Sequence, residues 1–341
     1  MRRLAIVSAL ALLVLAAGAT VAGLALRDRL YDPFRGYPDT EQFIVIAPGT
    51  STGVIRRRLV DAGVIRDEVA FRAALWWTGR ALDLQAGEYR FDRPLAAVDV
   101  IERIANGDVF TRPITFPEGL TIEEMAALFE SRGFGAAADF EAAAADPSPV
   151  RVVDDTATDL EGYLFPETYS LPRDTPASRL VALMVDRFLA TFVDQWRRAA
   201  EEQGLTVRQV VTLASLVEEE TGAPHERPIV AAVYRNRFRI GMRLQADPTV
   251  VYAMRQAGTY AGNIRRADLA MDSPYNTYRY AGLPPGPIAA PGAAALAAVL
   301  MPADVDYLYF VSRNDGTHAF ARTLAEHNRN VREFQILYFR R

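Results

Sequence analysis

Three consecutive glutamates, Glu218-Glu219-Glu220, close an apolar run from Val210 to Val217 and concentrate acid–base chemistry in one place. At about 100° per residue, Val210, Ala214, Val217 and Thr221 share one helical face. Glu218 follows Ala214 by four residues and joins that stripe, Glu219 falls well round the helix, and Glu220 lies on the other flank near Leu213. A carboxyl in apolar surroundings is pushed above its ordinary ~4.3 and stays protonated near neutrality, as a general acid requires. Negative charge at a helix C-terminus also opposes the macrodipole. Sequences tend to carry such costs at functional sites. The alternative reading is a solvated acidic helix end, which serves well for Glu219.

Composition narrows the chemistry further. All 38 basic residues are arginine, which excludes a Schiff-base lysine, a Walker lysine and a Ser–Lys dyad. With no cysteine there is no thiol nucleophile, thiolate metal site or disulfide. The histidines are His225, His318 and His327, without HExxH or i,i+4 spacing. His318, Glu326 and His327 make a poor zinc set because two of them adjoin on a helix and face apart. No metal and no cofactor is expected. No nucleophile elbow supports a serine triad. A net charge of −4 and pI near 5.6 argue against a nucleic-acid partner.

The elements that must position Glu218 follow from the rest of the chain. At 341 residues, half of them apolar, two or three globular domains are expected. Leu4–Leu26 carries no charge and is long enough to span a bilayer. A cleaved signal peptide competes with an anchor here, but its apolar core usually runs 7–15 residues. Arg2 and Arg3 outweigh Arg27 and Arg29, which Asp28 offsets, so the N-terminus is expected in the cytoplasm. Residues 27–40 read as a stalk. Phe43–Ile46 reads as a strand, then come Pro48-Gly49, a helix capped by Thr50 or Ser51 and ending at Gly63, a helix near Glu68–Trp77, a strand Gly87–Phe91 and a helix Ala96–Ala105.

An offset of 70 relates Gly49, Ile55, Leu59, Gly63 and Val64 to Gly119, Met125, Phe129, Gly133 and Phe134. Duplication explains this, and so does the generic look of any strand–turn–helix unit. The first copy loosely resembles LysM modules, small βααβ units that bind N-acetylglucosamine-containing glycans; a merely supporting role is the other reading. Gly135–Pro149 is alanine-rich and reads as a boundary. Helices are expected at Ala177–Glu202, Thr206–Glu220, Pro228–Arg239 and from Leu324, with a strand at Tyr307–Val311. Between Arg243 and Pro291 short polar and aromatic segments dominate.

Leu213–Thr221, His225-Glu226-Arg227, Tyr234-Arg235-Asn236-Arg237 and Gly241–Tyr252 together resemble the endolytic murein transglycosylase (YceG-like) family. Glu161–Tyr169, Ser273–Tyr278, Gly282–Ile288, Asp315–Phe320 and Glu326-His327-Asn328 extend the resemblance in the family's order. It spans the whole chain. The family commonly has Glu-Lys-Glu where this chain has Glu218-Glu219-Glu220, which marks the middle position as solvent-facing. The resemblance implies lytic cleavage of the MurNAc–GlcNAc β-1,4 bond with 1,6-anhydro ring formation, hence a lyase. It makes Glu218 the catalytic acid–base. It implies glycan-contacting roles for Gln245, Asp247, Thr249 and Tyr252, and for Asn236, Tyr275, Asn276 and Tyr278, which otherwise satisfy loop backbone. His318, Glu326 and Asn328 are expected to be structural.

The expected architecture is α+β: a cytoplasmic tip (1–3), a transmembrane helix (4–26), the stalk, a LysM-like βααβ part (41–112), a second strand–turn–helix unit with linker (113–154) and a mixed α+β catalytic domain (155–341). The expected setting is a single-pass inner-membrane enzyme with its catalytic domain in the periplasm. There it would cut nascent peptidoglycan strands beside membrane-bound synthases, and the short stalk favours that substrate. Two rivals stand: a muramidase-type hydrolase whose second acid is Glu226 or Asp247, and a non-catalytic glycan-binding scaffold.

Overall fold

The uncharged run Leu4–Leu26 sits within one helix, α1 (Arg2–Tyr31), in a computed structural model that describes residues 2–338. The expected tip begins with Met1 and the expected catalytic domain ends at Arg341, and both ends lie outside the described residues. Within α1, Leu10–Tyr31 has the length and hydropathy of a membrane span, and Leu12 to Leu15 each expose about two thirds of their surface. A helix is the natural form for such a run, since it satisfies every interior backbone group without help from water.

The chain divides into two compact units, one reaching Arg112 and including Ser170–Arg173, the other of Pro113–Tyr169 and Asp174–Arg341. The first unit contains β1 (Gln42–Ile46), α2 (Thr52–Asp61), α3 (Glu68–Thr78), β2 (Gly87–Phe91) and α4 (Ala97–Ala105). Antiparallel β1 and β2 place Ile44 opposite Tyr89. Alternation turns Ile44, Ile46, Tyr89 and Phe91 into a core with Ile55, Leu59, Phe71 and Ile101. Leu30 of α1 belongs to the same core. Beyond it Phe34 bridges Leu95, Tyr37 is buried, and the Gly36 N–H donates to the Gly63 carbonyl at 2.8 Å. Leu30, Phe34 and Tyr37, from the segment expected as stalk, thus pack into the unit. Gly63 is at φ +68°, and a Cβ there would sit 2.6 Å from the Gly36 backbone, so glycine is required.

The second unit is mostly helical. β3 (Arg112–Thr115), which enters this unit at Pro113, leads through a turn to α5 (Ile122–Ser131) and α6 (Ala137–Ala144), and β4 (Thr168–Leu171), which leaves it after Tyr169, pairs with β3. Then come α7 (Ala177–Thr191), α8 (Asp194–Glu202), α9 (Val207–Glu220), α10 (Arg227–Arg239), α11 (Asp247–Gln256) and α12 (Ala293–Leu300). An antiparallel pair, β5 (Tyr309–Ser312) and β6 (His318–Ala321), precedes α13 (Leu324–Val331). The class is mixed α+β.

Four segments differ from the sequence reading. The long helix expected at 177–202 breaks at Phe192, whose ψ of 66° leaves the helix, while extended Val193 caps α8. Fully buried Phe192 stacks on Phe188 at 5.7 Å and meets Trp196 edge-on at 5.9 Å. That packing outweighs one more helical turn through Thr191 and Val193, two β-branched residues that hold helix poorly. The alanine-rich stretch 135–149 forms α6, because Phe140 and Ala144 bury completely on one side. Residues 243–291 contain α11, started by Asp247 and Pro248 in its first turn. The strand expected at 307–311 starts two residues later and ends one residue later, at Tyr309–Ser312.

Candidate active site

Thr206 and Gln209 form a capping box that starts α9, and every residue from Val210 to Val217 is buried. The helix packs against α8, α10, α11 and α12. A helix wrapped on all sides holds its end rigidly. That end delivers the three glutamates to three different surroundings.

Glu218 points to the N-terminus of α12. Its Oε1 accepts from Arg227 Nη2 at 2.8 Å and its Oε2 from the Gly292 N–H at 2.9 Å, and the side chain is 5% exposed. Gly292 is the N-cap of α12. The unfavourable C-terminal dipole of α9 is therefore offset by the favourable N-terminal dipole of α12. The apolar stripe of Ala214 and Val217 exists beneath it, but the carboxylate itself lies against a guanidinium and a backbone donor. The expected largely apolar surroundings thus hold beneath the carboxylate but not at its oxygens.

Glu219 is the exposed member, yet its carboxylate is tucked against the turn at Gly119. Desolvation there, with Glu124 nearby, pushes its pKa up to about 7. Glu220 accepts from the Tyr234 hydroxyl at 3.0 Å, and burial pushes its pKa up to about 7.

A carboxylate not singled out in the sequence completes the arrangement. Glu118 lies 3.6 Å from the same Arg227 Nη2 that holds Glu218. Its pKa is raised by desolvation and then by the Glu218 charge, against the pull of Arg227. Glu118 belongs to the turn 116–121 between β3 and α5. Two backbone bonds of 2.9 Å fasten this turn, from the Gly119 N–H to the Ala290 carbonyl and from the Ala290 N–H to the Leu120 carbonyl. A Cβ at Gly292 would collide with the Glu118 carboxylate, so glycine there lets Glu118 lie over the α12 N-terminus. The only sequence signal was the repeat: Glu118 stands where the first copy has Pro48.

The other expected site residues fall into three groups. Gln245, Asp247 and Tyr278 line a cavity of about 330 Å³ with Glu220, Arg237 and His327. There the Tyr278 hydroxyl donates to Asp247, and Gln245 adopts φ +50°. Tyr252 lines a different cavity of about 340 Å³ with Glu161, Asp159, Thr121 and Arg255, and its ring lies 4.8 Å from that of Tyr275. Glu161 there accepts from the Ile122 N–H at 3.3 Å, and burial pushes its pKa up to about 8. Asn236, Thr249 and Asn276 hydrogen-bond to backbone, and Asn236 also lines a third cavity of about 430 Å³ with Arg235 and Asp306. Asn236 donates to the Val305 and Tyr307 carbonyls, Asn276 to those of Leu269 and Met271, and Thr249 to that of Ala246.

Neither rival second acid stands free. Glu226 is buried and takes both the His318 N–H at 2.9 Å and the His318 Nδ1 at 2.7 Å, while Asp247 is held by Tyr278. His318 is thereby tied to Glu226, and Glu326 closes the capping box of α13.

The class defined by this fold and site is a mixed α+β protein with a clustered-carboxylate centre at the end of a buried helix. A family model described as the YceG-like family matches residues 44–333, and the chain belongs to that family. It is 32% identical over 316 residues to the endolytic murein transglycosylase of Bacillus subtilis strain 168, covering 88% of this chain and 86% of that protein. It is 29% identical over 328 residues to the endolytic murein transglycosylase of Streptococcus pneumoniae D39, covering 84% of this chain and 57% of that longer protein. The crystal structure of a YceG-like protein of Listeria monocytogenes superposes with a TM-score of 0.59 at 30% identity, covering 85% of this chain and 98% of that one.

Proposed function

We propose that this chain is an endolytic murein transglycosylase that cleaves MurNAc–GlcNAc β-1,4 bonds with Glu218 as its acid–base. The observation that carries the reading is Glu218 itself, a nearly buried carboxylate at a rigid helix end with a cation on one oxygen and a backbone donor on the other. In the first half of the reaction Glu218 protonates the leaving oxygen. In the second its carboxylate takes the proton of the C6 hydroxyl of muramic acid, which closes the 1,6-anhydro ring. No water enters, and the proton returns to Glu218. Arg227 touches both Glu218 and Glu118, so Glu118 is its alternative partner when Glu218 is to carry a proton. Glu118 is a positioning residue in this scheme.

Tyr252 and Tyr275 form a tilted aromatic pair beside the Glu161 cavity, a surface suited to the apolar face of a sugar ring. Gln245, Asp247 and Tyr278 offer polar contacts in the second cavity. α1 serves as a single-pass anchor that leaves both units in the periplasm of the inner membrane. Support comes from Leu30, whose place in the first unit's core makes the end of α1 part of the fold. An anchored enzyme meets nascent strands first, beside their synthases, and limits their length. The β1–α2–α3–β2 arrangement has the βααβ order of a LysM module, and we assign it to glycan binding.

One observation favours a second reading. Glu118 is a second carboxylate next to Glu218, which a hydrolytic muramidase would need. Mass spectrometry of the products decides between them. Anhydro ends, lighter by one water than reducing ends, are expected; reducing ends alone would make the enzyme a hydrolase. No cleavage at all by the full chain would leave a glycan-binding scaffold.

A further inference from the structure

The first unit leaves an apolar surface uncovered on α3 and just beyond it. Trp76 is 79% exposed, Trp77 58%, Val69 54% and Leu82 97%. Val69 and Trp76 are seven residues apart, two turns along one face of α3. The rings of Trp76 and Trp77 lie 6.5 Å apart. Two adjacent exposed tryptophans with large aliphatic neighbours mark an interaction surface rather than ordinary scatter.

The partner is identified by what the patch adjoins. The Tyr31 ring at the end of α1 meets Trp77 edge-on at 6.5 Å. Arg29 pairs with Asp67, the N-cap of α3, at 3.1 Å, and α1 packs on both α3 and α4. The patch is thus joined to α1 without a flexible link. Tyr31 lies five residues past Leu26, roughly 7.5 Å along a helix. A headgroup layer is on the order of 5–7.5 Å thick on each side of the hydrocarbon. Tyr31, and with it the Trp77 ring it touches, is therefore carried at the outer edge of the headgroup layer, within reach of the interface where the half-apolar, half-polar indole ring is most at home.

We propose that Trp76, Trp77 and Leu82 seat in the outer headgroup layer of the bilayer. The first unit is then held to the membrane by α3 as well as by α1, which fixes its tilt. This rests on the reading that α1 spans the membrane.

The chain has three tryptophans, and the third is Trp196. The full chain carrying Trp77→Phe and Trp196→Phe reports on Trp76 alone, and Trp76→Phe with Trp196→Phe reports on Trp77 alone. Each is reconstituted into vesicles of phosphatidylcholine doped with a lipid carrying a nitroxide on its headgroup, floated on a density gradient and read by fluorescence. Flotation is expected, with the emission of both tryptophans at least halved relative to vesicles without the nitroxide lipid. Flotation with Trp76 unquenched overturns the docking while sparing the anchor; the patch then faces water or awaits a protein partner. Failure to float overturns the anchor and the docking together.

Discussion

Two segments of this molecule share one local fold and differ in what their turns meet. α2 (Thr52–Asp61) and α5 (Ile122–Ser131) start and stop at an offset of exactly 70 residues. The preceding glycines, Gly49 and Gly119, take φ +77° and +83°, and the following ones, Gly63 and Gly133, +68° and +69°. The first turn is bare: a Cβ at Gly49 would meet nothing within 4 Å. The second is crowded: a Cβ at Gly119 would lie 2.6 Å from Glu219 Oε1, and the adjacent Glu118 reaches Arg227. Local sequence makes the turn in both places. Chemistry arises only where the turn is pressed against the end of α9, so the copies diverge in tertiary surroundings and not in backbone.

The largest expected effect comes from the helix end that the second turn meets. Glu218→Gln keeps size and hydrogen-bonding capacity but has no transferable proton. Anhydro-product formation should fall by at least 10²–10⁴-fold, the usual share of a general acid–base, with glycan binding and far-ultraviolet circular dichroism unchanged. Losing Glu218 frees Arg227 toward Glu118, so the cation is not stranded and the fold should survive. An active Glu218→Gln enzyme would remove the reason for assigning chemistry to the second turn at all.

Glu161 lies behind the first turn of α5 and tests the same surroundings through pH. Its pKa is raised from 4.5 to about 8, chiefly by burial. Below pH 4.5 the group is protonated both folded and unfolded. Between 4.5 and about 8 the unfolded chain gives up the proton and the folded one keeps it, so stability falls as pH rises through this window. Above it the loss levels off, on the order of a few kcal/mol. Glu161→Gln should flatten the decline of melting temperature between pH 5 and 8, leaving the variant relatively more stable at the alkaline end. Parallel curves would mean that Glu161 is hydrated in solution.

Within the turn itself, Glu118→Gln should cost roughly tenfold in kcat, about 1.4 kcal/mol of barrier, because Arg227 loses its alternative partner. Glu118→Asp should restore part of the rate. The counterpart Pro48→Gln in the bare turn should leave the rate alone. An equal effect at both turns would erase the contrast between them.

The contrast also explains which features are legible in the sequence. The paired helices, the β1–β2 strands and the face of α9 are local or periodic features, and residues such as Ile44, Ile55 and Val217 show their burial by spacing. The environment of Glu218 is not local. Its partners Arg227 and Gly292 lie 9 and 74 residues away, and nothing in the pattern of α9 discloses them. Glu118 was hidden for the same reason, as part of an ordinary Pro-Glu-Gly turn until α9 and α12 close on it. Among the polar residues suspected of holding glycan, Asn236 and Asn276 fill backbone acceptors in loops, a use that residue type alone does not distinguish from ligand binding.

The smallest expected effect separates the copies at the caps of their helices. The Thr121 hydroxyl accepts from the Glu124 N–H at 3.2 Å and the Glu124 carboxylate accepts from the Thr121 N–H at 3.0 Å, whereas Ser51 makes no side-chain cap bond. Removing a working N-cap costs about 1 kcal/mol, and removing an idle one should cost close to nothing. Thr121→Ala should therefore speed amide hydrogen exchange in the first turn of α5 by roughly fivefold, a factor that corresponds to about 1 kcal/mol of local opening. Ser51→Ala should leave the first turn of α2 unchanged. Equal acceleration at both would mean that Ser51 caps its helix in solution and that the turns differ less than their geometry indicates. A response confined to α5 ties the tighter cap to the turn that holds Glu118 in place.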